Sequence, residues 1–147
     1  MVRRAAGTTG VTVEEFRQIM RDSLPFAAVF GAEIIEMGEG RAVAALPFKS
    51  DFLRPGGTIG GPLLMMLADL VVYAAVLSAI GRVELAVTTS LTINFLRKSP
   101  PAGIRAEAKL LKLGSRLAVG EVALFTEGDS EMVAHVVATY SIPPRHR

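Results

Sequence analysis

Near Gly81 the hydrophobic positions change from a helical period to a period of two. From Pro62 to Ile80 the run "PLLMMLADLVVYAAVLSAI" is apolar on every side and carries a single charge, Asp69. The length of this run and the glycines at both ends predict one long helix over 60–80, and apolarity all round predicts that protein covers it. Beyond Gly81 the period falls to two. Four strands can be drawn, "ELAVTTSLTINFLRK", "GIRAEAKLLKL", "LAVGEVALFTE" and "EMVAHVVATYSI", joined by "SPPA", "GSR" and "GDS". Connections this short predict an antiparallel meander in which each strand pairs with the next.

Ahead of the long helix, Thr12 and Glu15 form a capping box before the amphipathic "VEEFRQIMRDSL", so an N-terminal helix is expected over 12–24, with residues 1–10 as a flexible tail. After Pro25, "GAEIIEM" and "RAVAALPF" flank "GEG" and read as a hairpin. The glycine-rich loop "KSDFLRPGGTIGG" then delivers the chain to the helix, where Pro62 suits the first turn. Without an internal repeat or a linker, residues 1–147 are expected to form one α+β domain, an antiparallel sheet with the long helix packed on it. In the strand after Gly81, uninterrupted alternation puts Leu85, Val87, Thr89, Leu91, Ile93 and Phe95 on one face, and Ala86, Thr88, Ser90, Thr92 and Asn94 on the other. The hydroxyl-lined face is either solvated or, if a second subunit covers it, a place for a polar ligand.

Composition narrows the chemistry. With 16 basic against 14 acidic residues the formal charge is +2, and the bases cluster only at Arg3-Arg4 and 145–147, so no nucleic-acid partner is expected. Cysteine is absent, which excludes disulfide frameworks, thiolate nucleophiles and cysteine zinc sites. The two histidines, His135 in a strand pattern and His146 near the end, offer no metal-ligand spacing, so no metal is expected. His135 is read as structural. The amino terminus lacks the apolar segment of a signal peptide, and the expected location is cytoplasmic. A membrane span is weighed for the apolar run and set aside, because an Asp at its centre costs about 2.5 to 3.5 kcal/mol and the rest of the chain reads as soluble strands.

Asp69 therefore has two readings. It is a structural acid satisfied by neighbours, or a catalytic carboxylate whose apolar surroundings suit a base or nucleophile. Gly60 and Gly61 begin the same helix, where free backbone N–H groups and the positive end of the helix dipole can hold an oxyanion. That pairing suggests acyl chemistry. No G-x-S-x-G elbow, G-x-G-x-x-G or P-loop is present, and hydrolysis by a carboxylate and water requires no cofactor.

At these residues the sequence resembles a known family. "RPGGTIGGPLLMMLADL" is similar to the N-P-x-G-x-x-H-G-G-x-x-x-x-L-x-D run of the PaaI-like hotdog-fold acyl-CoA thioesterases, with Pro55, Gly57, Gly61, Leu67 and Asp69 at matching positions. The likeness extends through "TTSLTINFLRKSPPAG" and the last three strands, over about residues 25 to 143. It implies a hotdog fold, a curved antiparallel sheet wrapped around a long central helix, in homodimers or dimers of dimers with active sites at the subunit interface. Carried over by position, Asp69 is the base or nucleophile, the Gly61 N–H binds the thioester oxygen, and Thr88 orients the water, with Thr89 as the alternative match. The chain departs from the pattern at Arg54, which stands where the family has Asn, at Gly60, which stands where it has His, and at Pro62, which replaces the second glycine. Gly60 retains a backbone N–H that could serve, and Arg54 adds a charge if it turns inward. Arg97 and Lys98 after one strand, and Lys112, Ser115 and Arg116 around "KLGSR", are either a dock for a nucleotide phosphate of CoA or basic residues that solvate the ends of the sheet. Met65, Met66 and Tyr73 either border an acyl tunnel or are ordinary core, where Met is a natural gap filler. The expected activity is acyl-CoA thioester hydrolysis, the alternative a homo-oligomer that binds acyl-CoA without cleaving it. A hydratase is weaker, because such sites use a helix His that this chain lacks.

Overall fold

The structure is a computed structural model that describes residues 10–144. Most of the expected amino-terminal tail and the basic 145–147 lie outside the described residues, whereas Gly10 and Val11 are already buried and the Val11 N–H donates to Leu77 O at 3.1 Å. Helix α1 (Val13–Ser23) starts at the capping box: Thr12 Oγ1 accepts from the Glu15 N–H at 3.2 Å, and the Glu15 carboxylate accepts from the Thr12 N–H. Phe16 and Ile19 form its buried face.

A second helix, α2 (Pro25–Phe30), follows at once, where the sequence pattern shows no helix. Six residues are too few to display a helical period, and only its punctuation identifies it: Pro25 in the first turn and Gly31 at φ 80° as its C-cap. Strands β1 (Glu33–Gly38) and β2 (Arg41–Leu46) form the expected hairpin through Glu39 and Gly40, both at positive φ, as a two-residue turn of type I′ requires. The loop before the long helix contains a small ribbon of β3 (Leu53–Arg54) and β4 (Thr58–Ile59). Helix α3 (Gly61–Ile80) then leads to β5 (Val87–Phe95), β6 (Ile104–Leu113), β7 (Leu117–Thr126) and β8 (Met132–Ser141).

The meander expectation holds for β6, β7 and β8 and fails for β5. The antiparallel sheet runs β1-β2-β6-β7-β8-β5, so β5 pairs with the last strand and forms an edge. "SPPA" is not a hairpin turn. The chain between β5 and β6 crosses past β4, where Ile59 N–H donates to Ser99 O at 2.9 Å, and Pro100 and Pro101 have no N–H to offer a neighbouring strand.

Helix α3 touches all six strands of this sheet. Six strands span about 24 Å and a helix is only about 10 Å across, so the sheet must curl around it. This is the hotdog arrangement. Every residue from Leu70 to Ile80 is buried, which accounts for a helix that is apolar all round: it passes as a membrane span by length and hydropathy, yet protein covers most of it. Gly120 on β7 permits the close approach, since a Cβ there would meet Leu110 Cδ2 and Lys109 O at 3.3 Å and Val72 Cγ1 at 3.4 Å. The buried Ser78 ties the helix to the β1–β2 turn: its Oγ accepts from the Gly40 N–H at 2.9 Å and donates to Ala75 O at 2.7 Å.

Candidate active site

The first turns of α3 are less covered than the rest, and a stripe of Pro62, Met65, Met66 and Asp69 remains partly open at helical spacing. Asp69 is half-buried on this stripe. Thr88 Oγ1 donates to its Oδ1 at 2.6 Å, and the Tyr140 hydroxyl donates to the same Oδ1 at 2.7 Å while lying 2.9 Å from the Asp69 carbonyl oxygen. Among the described residues no donor reaches Oδ2. One carboxylate oxygen is thus occupied by two hydroxyls, and the other accepts from no donor among the described residues.

A bulge in β5 decides which threonine does this. In the register with β8, Thr88 faces Tyr140 and Ser90 faces Thr139, so Thr89 is the extra residue, and its Oγ1 donates to Thr139 O at 3.2 Å. The extra residue inverts the alternation. Ala86 and Thr88 turn inward before it and Leu91 and Ile93 after it, whereas Leu85 and Val87 are 82% and 57% exposed. The uninterrupted two-face reading of this strand is therefore corrected, and of the two threonines Thr88 meets Asp69.

Asp69, Thr88 and Tyr140 line a cavity of about 260 Å³ whose other walls are mostly apolar, with Met66, Leu70 and Tyr73 beneath and Leu24 and Phe26 from the α1–α2 junction at one side. Of the three tunnel candidates, Met66 and Tyr73 border this cavity, whereas Met65 does not and is exposed. Tyr140 is 3% exposed, its ring stacked on Tyr73 at 6.1 Å, and Tyr73 in turn contacts Phe16 at 5.7 Å. The Tyr73 hydroxyl donates to Glu84 O at 2.9 Å. Burial, and then the nearby Glu84 charge, push the Tyr73 phenol up to about 12. Burial and the Asp69 charge raise the Tyr140 phenol as well, so it keeps its proton and donates at neutral pH.

At the opposite end of β5 lies a cleft of about 480 Å³ bounded by Arg54, Gly61, Phe95, Arg97, Lys98 and Ser99. Gly61 is the first residue of α3, and among the described residues its N–H has no acceptor, as the helix start dictates. Gly60 differs. Its N–H donates to Phe52 O at 2.9 Å, so the spare donor expected there is already spent. A Cβ on Gly61 would stand 2.9 Å from Phe95 Cζ, and glycine keeps the ring against the helix start. Arg97 pairs with Glu131, whereas Arg54 and Lys98 have no ion-pair partner among the described residues. The Ser99 hydroxyl is buried without a hydrogen-bond partner.

The candidate phosphate dock of the basic residues is divided in two. Lys112, Ser115 and Arg116 surround the β6–β7 turn at the Val87 end of the sheet, where Leu117 and Val87 both pair with Ser141, while Arg97 and Lys98 follow its Phe95 end. Arg116 is held by its own chain, with Nε donating to Ile142 O at 3.1 Å. His135 is remote from Asp69. It lies on the outer face of the sheet, Nε2 3.0 Å from Glu121 Oε2, and Lys109 Nζ is 3.3 Å from Glu121 Oε1. Among the described residues no group of three His, Asp or Glu side chains is placed to hold a metal ion.

This geometry puts a carboxylate and a free helix-start N–H on one helix, beside an apolar cavity and a basic cleft. The sequence model of the thioesterase superfamily matches residues 56–133, from the glycines before α3 into β8. The chain belongs to the thioesterase superfamily. A candidate thioesterase of Silicibacter sp. TM1040 has a structure similar to this protein with a TM-score of 0.84 and 37% identity, over 98% of this chain and 100% of that one. The phenylacetic acid degradation protein PaaI of Thermus thermophilus is similar at 28% identity and a TM-score of 0.73, over 81% of this chain and 99% of its own. A candidate esterase of Saccharolobus solfataricus is 27% identical over 88% of this chain and 91% of its length. The PaaI-like resemblance and the hotdog fold are thereby established for this superfamily member, and the names of its relatives support a hydrolase.

Sequence reasoning missed Tyr140, Leu24 and Phe26. Tyr140 carried a signal: in "EMVAHVVATYSI" it shares a face with Ala134, Val136 and Ala138, and a phenol on an inward face must find a hydrogen-bond partner. Leu24 and Phe26 carried none, because α2 has no period to reveal it.

Proposed function

We propose that this protein hydrolyses an acyl-CoA thioester to a free acid and CoA, with Asp69 as the base or nucleophile. The observation that carries the reading is the Asp69 carboxylate at an apolar cavity, one oxygen held by two hydroxyls and the other without a donor among the described residues. As a base, Asp69 takes a proton from water, the oxygen of that water attacks the thioester carbon, and the carbonyl oxygen becomes an oxyanion. Collapse of this intermediate breaks the C–S bond, and the departing thiolate takes up a proton. As a nucleophile, Asp69 would displace the thiolate itself and water would then cleave the mixed anhydride. Thr88, bonded to Asp69, is the residue proposed to orient the water in either case, accepting from it while donating to Asp69.

The Gly61 N–H is the proposed oxyanion donor, and it calls for a second copy of the chain. Gly61 and Asp69 are eight positions apart on one helix, about 12 Å along its axis, whereas one carbonyl must meet both partners at roughly 3 Å. A two-fold pairing of β5 edges runs antiparallel, so it lays the Phe95 end of one copy along the Val87 end of the other. That would bring the Gly61 cleft of one subunit to the Asp69 cavity of its partner, with Arg54, Arg97 and Lys98 near the CoA phosphates. A cytoplasmic homodimer, alone or doubled, is the proposed form.

Thiol release from a panel of acyl-CoA esters by wild type and Asp69→Asn, with a thermal melt on each, tests the reading. Loss of roughly 10²- to 10⁴-fold in a folded Asp69→Asn protein is expected. If wild type cleaves none of the panel while acyl-CoA raises its Tm, the protein binds without hydrolysing, as Gly60 in place of the motif His would favour.

A further inference from the structure

We propose that Tyr140 is a positioning residue for Asp69, its hydroxyl fixing Oδ1 together with that of Thr88 so that Oδ2 alone acts on the water or the thioester. This rests on the catalytic reading of Asp69. Asp69 sits on an open stripe of a helix, and a carboxylate there has two side-chain torsions to settle. Thr88 alone would hold one oxygen by one bond. Tyr140 adds a second bond to that oxygen at 2.7 Å and lies 2.9 Å from the Asp69 carbonyl oxygen, so the phenol bridges side chain and backbone of the same residue. Thr88 and Tyr140 are direct cross-strand partners in the β5–β8 register, and the bulge at Thr89 keeps Thr88 inward at that point. Their hydroxyls converge from adjacent strands onto one atom.

The phenol is itself immobilised. Tyr140 is buried, its ring stacks on Tyr73, and Tyr73 is fixed by Phe16 and by its own bond to Glu84 O. This rigid stack reaches from α1 through α3 to β8 and ends on Asp69. Precise placement of a reacting group is worth large factors in rate, because a misplacement of about 1 Å can cost on the order of 10²-fold. The hydroxyl contributes by removing the rotamers in which Oδ2 turns away, and it touches no reacting atom.

Tyr140→Phe keeps the ring and its stacking and removes one oxygen. With the best acyl-CoA of the panel, kcat should fall roughly 10- to 100-fold. KM, and the Kd of the non-hydrolysable thioether analogue of the same ester, should stay within about twofold, since the ring that lines the cavity is kept and the lost hydroxyl is bonded to Asp69. A drop in Tm accompanied by matching rises in KM and Kd would overturn the proposal in favour of a packing role. An unchanged kcat in a Tyr140→Phe protein, with Asp69→Asn inactive, would overturn it while leaving the catalytic reading of Asp69 intact. If Asp69→Asn were as active as wild type, the catalytic reading would itself fail. Tyr140→4-fluorophenylalanine fills the space of the hydroxyl and donates no hydrogen bond, so it remains informative if Tyr140→Phe does not fold: a fall in kcat at constant KM supports positioning, and an unchanged kcat overturns it. Combined with Thr88→Val, Tyr140→Phe should show a loss that departs from the product of the two single losses, because both donors serve one oxygen.

Discussion

The cleft at Gly61 and the cavity at Asp69 stand at opposite ends of β5 and are made of opposite materials. The cavity is small, mostly apolar and furnished with hydroxyls and the Asp69 carboxylate, with Glu84 at its wall; the cleft is larger, holds three basic side chains and offers a bare backbone N–H. Neither contains the other's reactive part. A carboxylate can activate water without stabilising the resulting oxyanion, and a helix start can stabilise the oxyanion without creating it. On the proposed reading, the requirements of acyl transfer are divided between two places roughly 12 Å apart on one helix.

The largest expected effect breaks that division. Asp69→Asn should silence one half and Gly61→Leu, whose side chain would collide with Phe95 and fill the cleft, the other. If the halves meet across a dimer, a purified heterodimer of the two variants has one site with both parts intact and should recover about half of the wild-type rate, although each homodimer is inactive. If each chain builds its own site, the heterodimer is as dead as its parents. Size-exclusion chromatography of the tagged species shows whether the heterodimer exists, so a silent sample cannot be mistaken for a failed assembly.

The two regions also differ in how far the sequence disclosed them. Asp69 and Gly61 were legible because each is an anomaly in its context: a charge inside an apolar run, and a glycine where a helix must leave its N–H groups free. The helix around them was legible from the length of the apolar run and the glycines that bound it. Tyr140, Thr88 and the orientation of β5 were harder to read, since they depend on which strands pair. A short connection ordinarily implies a hairpin, and two prolines carried the chain across instead. The Thr89 bulge has no signature of its own, and it exchanges the inward and outward sets of a strand that alternates cleanly. Gly60 failed for a similar reason: its N–H looks free in sequence and is taken by Phe52 O, a contact set by the fold.

A smaller effect sharpens the contrast between the basic residues. Arg54 lines the cleft without an ion-pair partner among the described residues, whereas Arg116, at the other end of the sheet, is held by Ile142 O. Arg54→Gln should raise KM for acyl-CoA about tenfold, the scale of a charge-assisted hydrogen bond to phosphate. Arg116→Gln should change KM less. A fall in kcat for Arg54→Gln at constant KM would mean that the guanidinium serves the oxyanion, which would assign Arg54 to the task of the missing motif His.

The smallest effect belongs to a region that is neither cleft nor cavity. On the outer sheet face the hydrogen bond from His135, with help from Lys109, holds the Glu121 carboxyl below its ordinary value of 4.5. A carboxyl depressed in the folded state contributes stability that is complete above the unfolded value and lost as the pH falls through the folded one. Wild type should therefore lose part of its Tm as the pH drops below about 4.5, and Glu121→Gln should lose less over the same interval, though the difference is limited because the group is partly exposed and such pairs contribute under about 1 kcal/mol. Melts from pH 6 to 3 measure it. At neutral pH kcat and KM of Glu121→Gln should equal those of wild type, because the sheet separates this face from the helix that carries Asp69 and Gly61. A changed kcat would mean that the outer face communicates with the site through β8, the strand that carries both His135 and Tyr140.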